Sequence, residues 1–221
     1  MGKGNIKDRF NIIVRHGELN NPKGIVYNRD VLMRREDSIG LSEEGKEQMK
    51  ALATLLKNKD FQAMKIYTSP EKRAQESAEE LNKILKVPIV VNDDLDDVYG
   101  PGPYLEGVTM DQWEKEYRGD AYSKRWEKYD CEKPEAIIER MSNAFWKASE
   151  ELKPGKAAIL VSHGDPIAWF VNSLLGEIPE PHNLRNLTYP TKGEALVAVI
   201  SPDDKLAVIH ELNKRPNRST F

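Results

Sequence analysis

Phe10-Asn11-Ile12-Ile13-Val14-Arg15-His16-Gly17 and, far downstream, Ala157-Ala158-Ile159-Leu160-Val161-Ser162-His163-Gly164 share one design: a short apolar run that stops at a His-Gly step. A continuous apolar run of this length bounded by glycine reads as a buried strand. Four more runs punctuate the chain: Met64 to Thr68, Pro88 to Val91, Glu194 to Ile200 and Lys205 to His210. The last two, joined across Ser201, Pro202 and Asp203, read as a hairpin. Stretches of helical period separate the runs. Ser42 to Leu56 has an N-cap serine, acidic Glu43 and Glu44 in the first turn, and Met49, Leu52, Ala53 and Leu56 on one face. Pro70 to Leu85, Pro134 to Leu152 and Pro166 to Leu175 share the same logic, opening on proline. Strands alternating with helices predict an α/β fold with a mostly parallel central sheet and helices on both faces.

Composition sets the outer bounds. The chain has 221 residues, 39% hydrophobic and 31% charged, with a formal net charge of −3. That length and apolar share suit one well-packed domain spanning residues 1–221. The charged, aromatic stretch from Val108 to Lys133 reads as a small helical cap inserted on the rim of the sheet, and 214–221 as a flexible tail. No apolar stretch approaches the roughly 20 residues of a membrane span, and the start of the sequence lacks the pattern of a signal peptide. A single cysteine, Cys131, excludes intrachain disulfides and Cys-rich zinc sites. The expected setting is the cytoplasm. A slightly acidic chain offers no electrostatic basis for general nucleic-acid binding. The oligomeric state is left open by the sequence.

The residues just beyond each strand carry the informative pattern. Arg15, His16 and Gly17 come after the first, Ser69, Pro70 and Arg73 after the second, Asp94, Asp96 and Asp97 after the third, and Ser162, His163 and Gly164 after the fourth. In a parallel sheet these carboxyl ends share one edge, where ligands bind. Two arginines that can fork onto phosphate oxygens, two imidazoles, and backbone N–H groups from helices expected to start after Gly17 and Gly164 describe a phosphate pocket.

These motifs resemble those of the histidine phosphatase superfamily, in its phosphoglycerate mutase-like branch. Val14-Arg15-His16-Gly17-Glu18 is similar to the family's Arg-His-Gly signature, Leu41-Ser42-Glu43-Glu44-Gly45 to its Leu-Thr-x-x-Gly helix start, Ser69 to Ala78 to its Ser-Pro-x-x-Arg-Ala segment, and Val161 to Pro166 to its second histidine motif. The resemblance implies a phosphomonoester hydrolase in which His16 takes the phosphoryl group as phosphohistidine. It implies that Arg15, Arg73, His163 and the Gly164 N–H hold the transferring phosphate. Two guanidiniums and an imidazolium then supply the charge that Mg²⁺ supplies elsewhere, so neither metal nor cofactor is expected. His16 needs one unprotonated nitrogen, which predicts that its other nitrogen donates to a backbone carbonyl. The expected substrate is a phosphorylated small molecule, with specificity set by the cap and by the loop from Asn20 to Gly40.

Two departures from the family pattern stand out. Leu95-Asp96-Asp97 places Asp97, one methylene shorter, where the family usually has its glutamate general acid; Glu18 and Glu106 are the alternative acids. Pro22 stands where the family often has asparagine. Competing readings use the same residues. A phosphoglycerate mutase-like phosphotransferase would need basic residues after the acid, where this chain has Tyr99-Gly100-Pro101-Gly102-Pro103. A non-catalytic phospholigand-binding module would use the pocket without turnover. A Mg²⁺-dependent aspartate-nucleophile phosphatase would use Asp94 and Asp96 after their strand, leaving both His-Gly elements idle. A cysteine phosphatase fails because Ile137 occupies the position an arginine would need. His182, His210, Trp113, Trp126 and Trp146 read as surface or packing residues, and Lys115, Arg118, Lys124 and Arg125 as a solvated charged face.

Overall fold

The computed structural model describes residues 7–26, 39–99, 105, 107–117, 131–177 and 181–213. Six strands form one sheet: β1 (Arg9–Arg15), β2 (Gln62–Thr68), β3 (Ile89–Val91), β4 (Lys156–Ser162), β5 (Ala195–Ile200) and β6 (Leu206–Glu211), in the order β3-β2-β4-β1-β5-β6. β3, β2, β4 and β1 are mutually parallel, and the β5–β6 hairpin adds two antiparallel strands beyond β1.

Alternation along each strand divides the apolar side chains between two cores. Ile12, Val14, Ile66, Ile159 and Val161 meet α1 (Glu43–Asn58) and α2 (Lys72–Leu85) on one face. Ile13, Leu160, Leu196 and Ala198 meet α3 (Pro134–Glu150) and α4 (Gly164–Leu174) on the other. Ser42 caps α1 through its side chain, which accepts from the Gly45 N–H; such a cap is worth about 1 kcal/mol. Because α1 leaves β1 for one face and α4 leaves β4 for the other, the crevice between these neighbouring strand ends is the topological switch point.

Local differences from the sequence expectations have simple causes. α2 begins at Lys72 rather than Pro70, because Glu71 sits at the N-cap in extended conformation while the Ser69 hydroxyl takes its N–H at 3.2 Å. α4 begins at Gly164, two residues before Pro166. No helix follows Gly17. There the chain passes so close to α1 that a Cβ on Gly17 would lie 2.6 Å from the Gly45 carbonyl oxygen, and the Gly17 N–H donates to Ser77 Oγ at 3.1 Å.

Of the segment expected to form a cap, residues 108–117 and 131–133 are described. Thr109 caps a helical turn at Met110–Gln112, continued by wider turns over Trp113–Tyr117. This segment pairs with residues 24–26: Val26 N–H donates to Val108 O at 2.9 Å and Met110 N–H to Gly24 O at 2.7 Å. Residues 108–110 and the loop after β1 are thereby stitched together. Trp126, Arg118, Lys124, Arg125, Glu106, Gly100 to Pro103 and 214–221 lie outside the described residues.

Candidate active site

Register explains why the two histidines meet. Arg15 lies opposite Ser162 in the β1–β4 pairing, so His16 and His163 leave adjacent strands side by side, their ring centroids 5.2 Å apart. The ladder runs one bond further, with His16 N–H donating to Ser162 O at 3.0 Å. Both rings are 1% exposed. His16 Nδ1 lies 2.9 Å from the Gly17 carbonyl oxygen. A carbonyl only accepts, so this contact puts the proton on Nδ1 and leaves Nε2 as the lone-pair nitrogen.

Arg73, in the first turn of α2, is fully buried, and burying a guanidinium is tolerable only with partners on every side. It has them: Nη1 donates to Glu71 Oε2 at 3.0 Å, Nη2 to Asp97 Oδ2 at 2.6 Å and Nε to His163 Nδ1 at 3.2 Å. Since arginine only donates, His163 Nδ1 is the acceptor and its proton sits on Nε2. Nε2 lies 2.8 Å from Ser69 Oγ, which in turn donates to Asp96 Oδ1 at 3.2 Å. Arg15 donates from Nη1 to Pro190 O at 3.1 Å and stacks 5.3 Å from the centre of the Tyr189 ring.

Electrostatics fix the protonation states. Burial first, then His163, Arg73 and Arg15, hold His16 well below the ordinary imidazole value. Burial first, then Arg73, Arg140 and Arg15, do the same to His163. The imidazolium expected at His163 is therefore a neutral imidazole before a phosphate arrives. Positive charge in the site comes from the two arginines, and neutral His16 is ready to act as a nucleophile.

The structure brings together Arg15, His16, Arg73, Asp97, His163 and Gly164. Asp97 bridges the cluster, with Oδ2 also 3.5 Å from His163 Nδ1, so the shorter side chain reaches the arginine directly. Gly164 is pressed against the same groups, since a Cβ there would come within 2.9 Å of Arg15 Cζ. Glu18 stands apart in its pairing: Oε1 accepts from Lys192 Nζ at 2.6 Å and from the Leu19 N–H at 3.1 Å. The other alternative acid, Glu106, is outside the described residues. Asp96 spends Oδ1 on Ser69 and on the Asp97 N–H at 2.9 Å, and β3, which precedes it, is an edge strand of the sheet.

Residues not singled out from sequence also line this region. Tyr189 donates to Asp165 Oδ1 at 2.6 Å, the Gly193 N–H docks on His16 O at 2.9 Å, and Glu194 O takes the Arg15 N–H at 3.0 Å. They arrive because β5 is antiparallel to β1, which puts its entry at the edge where β1 ends.

Comparison with known proteins identifies the family. The family model for the histidine phosphatase superfamily (branch 1) matches residues 11–215. The chain is 29% identical over 174 residues, 78% of its length and 81% of the relative's, to "Uncharacterized phosphatase PhoE" of Bacillus subtilis (strain 168). Among solved structures, the α-ribazole phosphatase from Shigella flexneri superposes with a TM-score of 0.67 at 19% identity, covering 93% of this chain and 96% of that one. A mycobacterial glucosyl-3-phosphoglycerate phosphatase complexed with VO3 gives 0.64 at 22% identity, covering 86% and 92%. These structures share the fold. With a family match across the sheet and both histidine motifs, this chain belongs to the histidine phosphatase superfamily, branch 1.

Proposed function

We propose that the protein is a metal-independent phosphomonoester hydrolase that passes the phosphoryl group through Nε2 of His16, acting on a small phosphorylated molecule. The observation that carries this reading is the 2.9 Å contact between His16 Nδ1 and Gly17 O, which keeps Nε2 unprotonated beside two arginines. Relatives bearing phosphatase names, among them PhoE, support hydrolysis. The reading takes residues 1–221 as one domain with 108–133 as its cap, working in the cytoplasm and not on nucleic acid.

In this mechanism Arg15, Arg73, the Gly164 N–H and His163 grip the phosphate dianion. The phosphate displaces Asp97 from Arg73 and the freed carboxylate takes up a proton from solvent; His16 Nε2 then attacks phosphorus as the bond to the ester oxygen breaks in line, and Asp97 gives that oxygen its proton. In the second half Asp97 takes a proton from water, the oxygen attacks phosphorus, and the P–N electron pair returns to His16. Phosphate leaves, Asp97 releases that proton and closes back on Arg73, and every group is in its starting state.

The test is phosphate release from an aryl phosphate in excess EDTA, with wild type and His16→Ala compared. Turnover that survives chelation and disappears with the mutation, by about 10⁴-fold or more, fits loss of a nucleophile. Turnover retained by His16→Ala, or restored only by Mg²⁺, overturns the mechanism; silence of the wild type on a broad ester panel turns attention to a mutase or a binding module.

A further inference from the structure

Every backbone carbonyl of the turn from Asp94 to Asp97 is engaged by a side-chain donor. Arg140, on α3, donates from Nη1 to Asp94 O at 3.0 Å and Asp96 O at 2.7 Å, and from Nη2 to Asp97 O at 3.3 Å. Ser162 Oγ takes the remaining carbonyl, Leu95 O, at 2.8 Å. The other edge of the guanidinium meets Glu132, through Nε to Oε1 at 2.6 Å and Nη2 to Oε2 at 3.0 Å. Glu132 is itself fixed to the residue beyond the turn: Oε2 accepts from the Tyr99 N–H at 3.1 Å, and its own N–H donates to Tyr99 O at 2.8 Å.

Surface turns ordinarily leave such carbonyls to water. Here a nearly buried ion pair, 16% and 14% exposed, does the work instead, at a desolvation cost that a merely decorative contact would not justify. A planar fork that spans three carbonyls and a carboxylate is also a geometry lysine cannot copy. The turn needs holding because its cargo is short. Asp97 Oδ1 is tied to the Val98 N–H at 2.9 Å while Oδ2 reaches Arg73, so the carboxylate's place depends on where the backbone sits.

We propose that Arg140, braced by Glu132, is a positioning residue for Asp97: it draws the turn inward and lets an aspartate deliver the proton to the ester oxygen. The inference rests on the reading of Asp97 as the proton donor. Arg140 hydrogen-bonds to Glu132 and to the carbonyls of the turn, not to His16 or to the side chains proposed to hold phosphate, so its loss should spare the grip on phosphate and the attack on phosphorus while impairing protonation of the leaving group.

Two esters separate these effects, an alkyl phosphate whose leaving oxygen needs a proton and a dinitrophenyl phosphate whose leaving group does not. Arg140→Lys should lower kcat/KM, which reports the first phosphoryl transfer alone, on the alkyl ester about tenfold or more, as a displacement of about 1 Å at a reacting group can cost ~10²-fold. On the dinitrophenyl ester the loss should stay within about twofold, and inhibition by inorganic phosphate should not weaken, which reports an intact pocket. Glu132→Gln, a milder change, should give the same pattern at smaller amplitude. In an Asp97→Asn background Arg140→Lys should cost nothing further, because the two residues act through one proton. Equal losses on both esters, or losses that add to those of Asp97→Asn, overturn the proposal and make Arg140 a structural residue. If Asp97→Asn itself fails to distinguish the esters, the acid assignment falls and takes this proposal with it. If Asp97→Asn distinguishes them and Arg140→Lys does not, only the positioning role falls.

Discussion

Asp97 occupies Arg73: its Oδ2 lies 2.6 Å from Nη2 of a guanidinium that is fully buried. A phosphate oxygen that reaches the same arginine must displace this carboxylate or share the nitrogen with it. In the proposed mechanism the acid therefore competes with the substrate for one cation, and binding and proton transfer pull on Asp97 in opposite directions.

Asp97→Asn should accordingly tighten inhibition by inorganic phosphate, about tenfold, or ~1.4 kcal/mol, as removal of one negative charge beside the bound dianion warrants. The same variant should turn over alkyl phosphates far more slowly. Inhibition constants measured beside kcat will display the opposed signs, and weaker phosphate inhibition in the variant would contradict the competition.

The pH profile should extend further to the acid side than an ordinary histidine permits. Burial and three neighbouring groups hold His16 well below 6.5, so Nε2 stays unprotonated as the solution passes through that value. With dinitrophenyl phosphate, and after correction for the ester's own ionisation, kcat/KM should remain level through pH 6.5. A decline centred there would mark an exposed, ordinary imidazole as the nucleophile.

Stability should move the other way. In the unfolded chain His16 and His163 take up protons near the ordinary value, whereas in the fold both resist until well below it. Between those limits the unfolded state binds more protons, so stability is fully present above pH 6.5 and declines as pH falls below it, by up to about 1.4 kcal/mol per pH unit for each histidine. Urea midpoints from pH 7.5 down to pH 5 measure this slope. His163→Asn should flatten it, and an unchanged slope would assign the loss to other groups.

Much of this site is legible in the sequence, for a physical reason. Parallel strands bring their carboxyl ends to one edge, so Arg15-His16 and Ser162-His163 must converge once β1 and β4 are recognised as strands. Glycine is less readable: Gly17 and Gly164 look alike in sequence, yet Gly164 opens a helix and Gly17 grazes one. The loop from Tyr189 to Glu194 escapes notice because its relevance depends on β5 running antiparallel to β1, a long-range pairing with no local signature. Arg140 is hidden in the same way. On its helix it is one more charged residue, and only the packing of α3 against the turn after β3 reveals what its guanidinium holds. The neutral state of His163 stems from burial and from arginines distant in sequence, which motif spacing does not encode.

Gly164→Ala isolates the part of the pocket proposed to grip phosphate. A Cβ at this position would fall 2.9 Å from Arg15 Cζ and against the Tyr189 hydroxyl, which is fixed by its 2.6 Å bond to Asp165. Neither neighbour can yield freely, because Arg15 is also held by Pro190 O and stacked on the Tyr189 ring. The methyl group should push the guanidinium off its position and leave His16 and Asp97 where they are, since both approach from other elements. Weaker phosphate inhibition and a higher KM, each by about tenfold, are the expected results, with the kcat ratio between alkyl and dinitrophenyl esters unchanged. Overpacking of this kind should also lower stability by about 1–3 kcal/mol, which thermal unfolding would register as a drop of roughly 2–4 °C per kcal/mol for a chain of this size. A variant with normal phosphate inhibition and a reduced melting temperature would show that Arg15 can retreat without loss of grip, and would shift the burden of binding the dianion to Arg73.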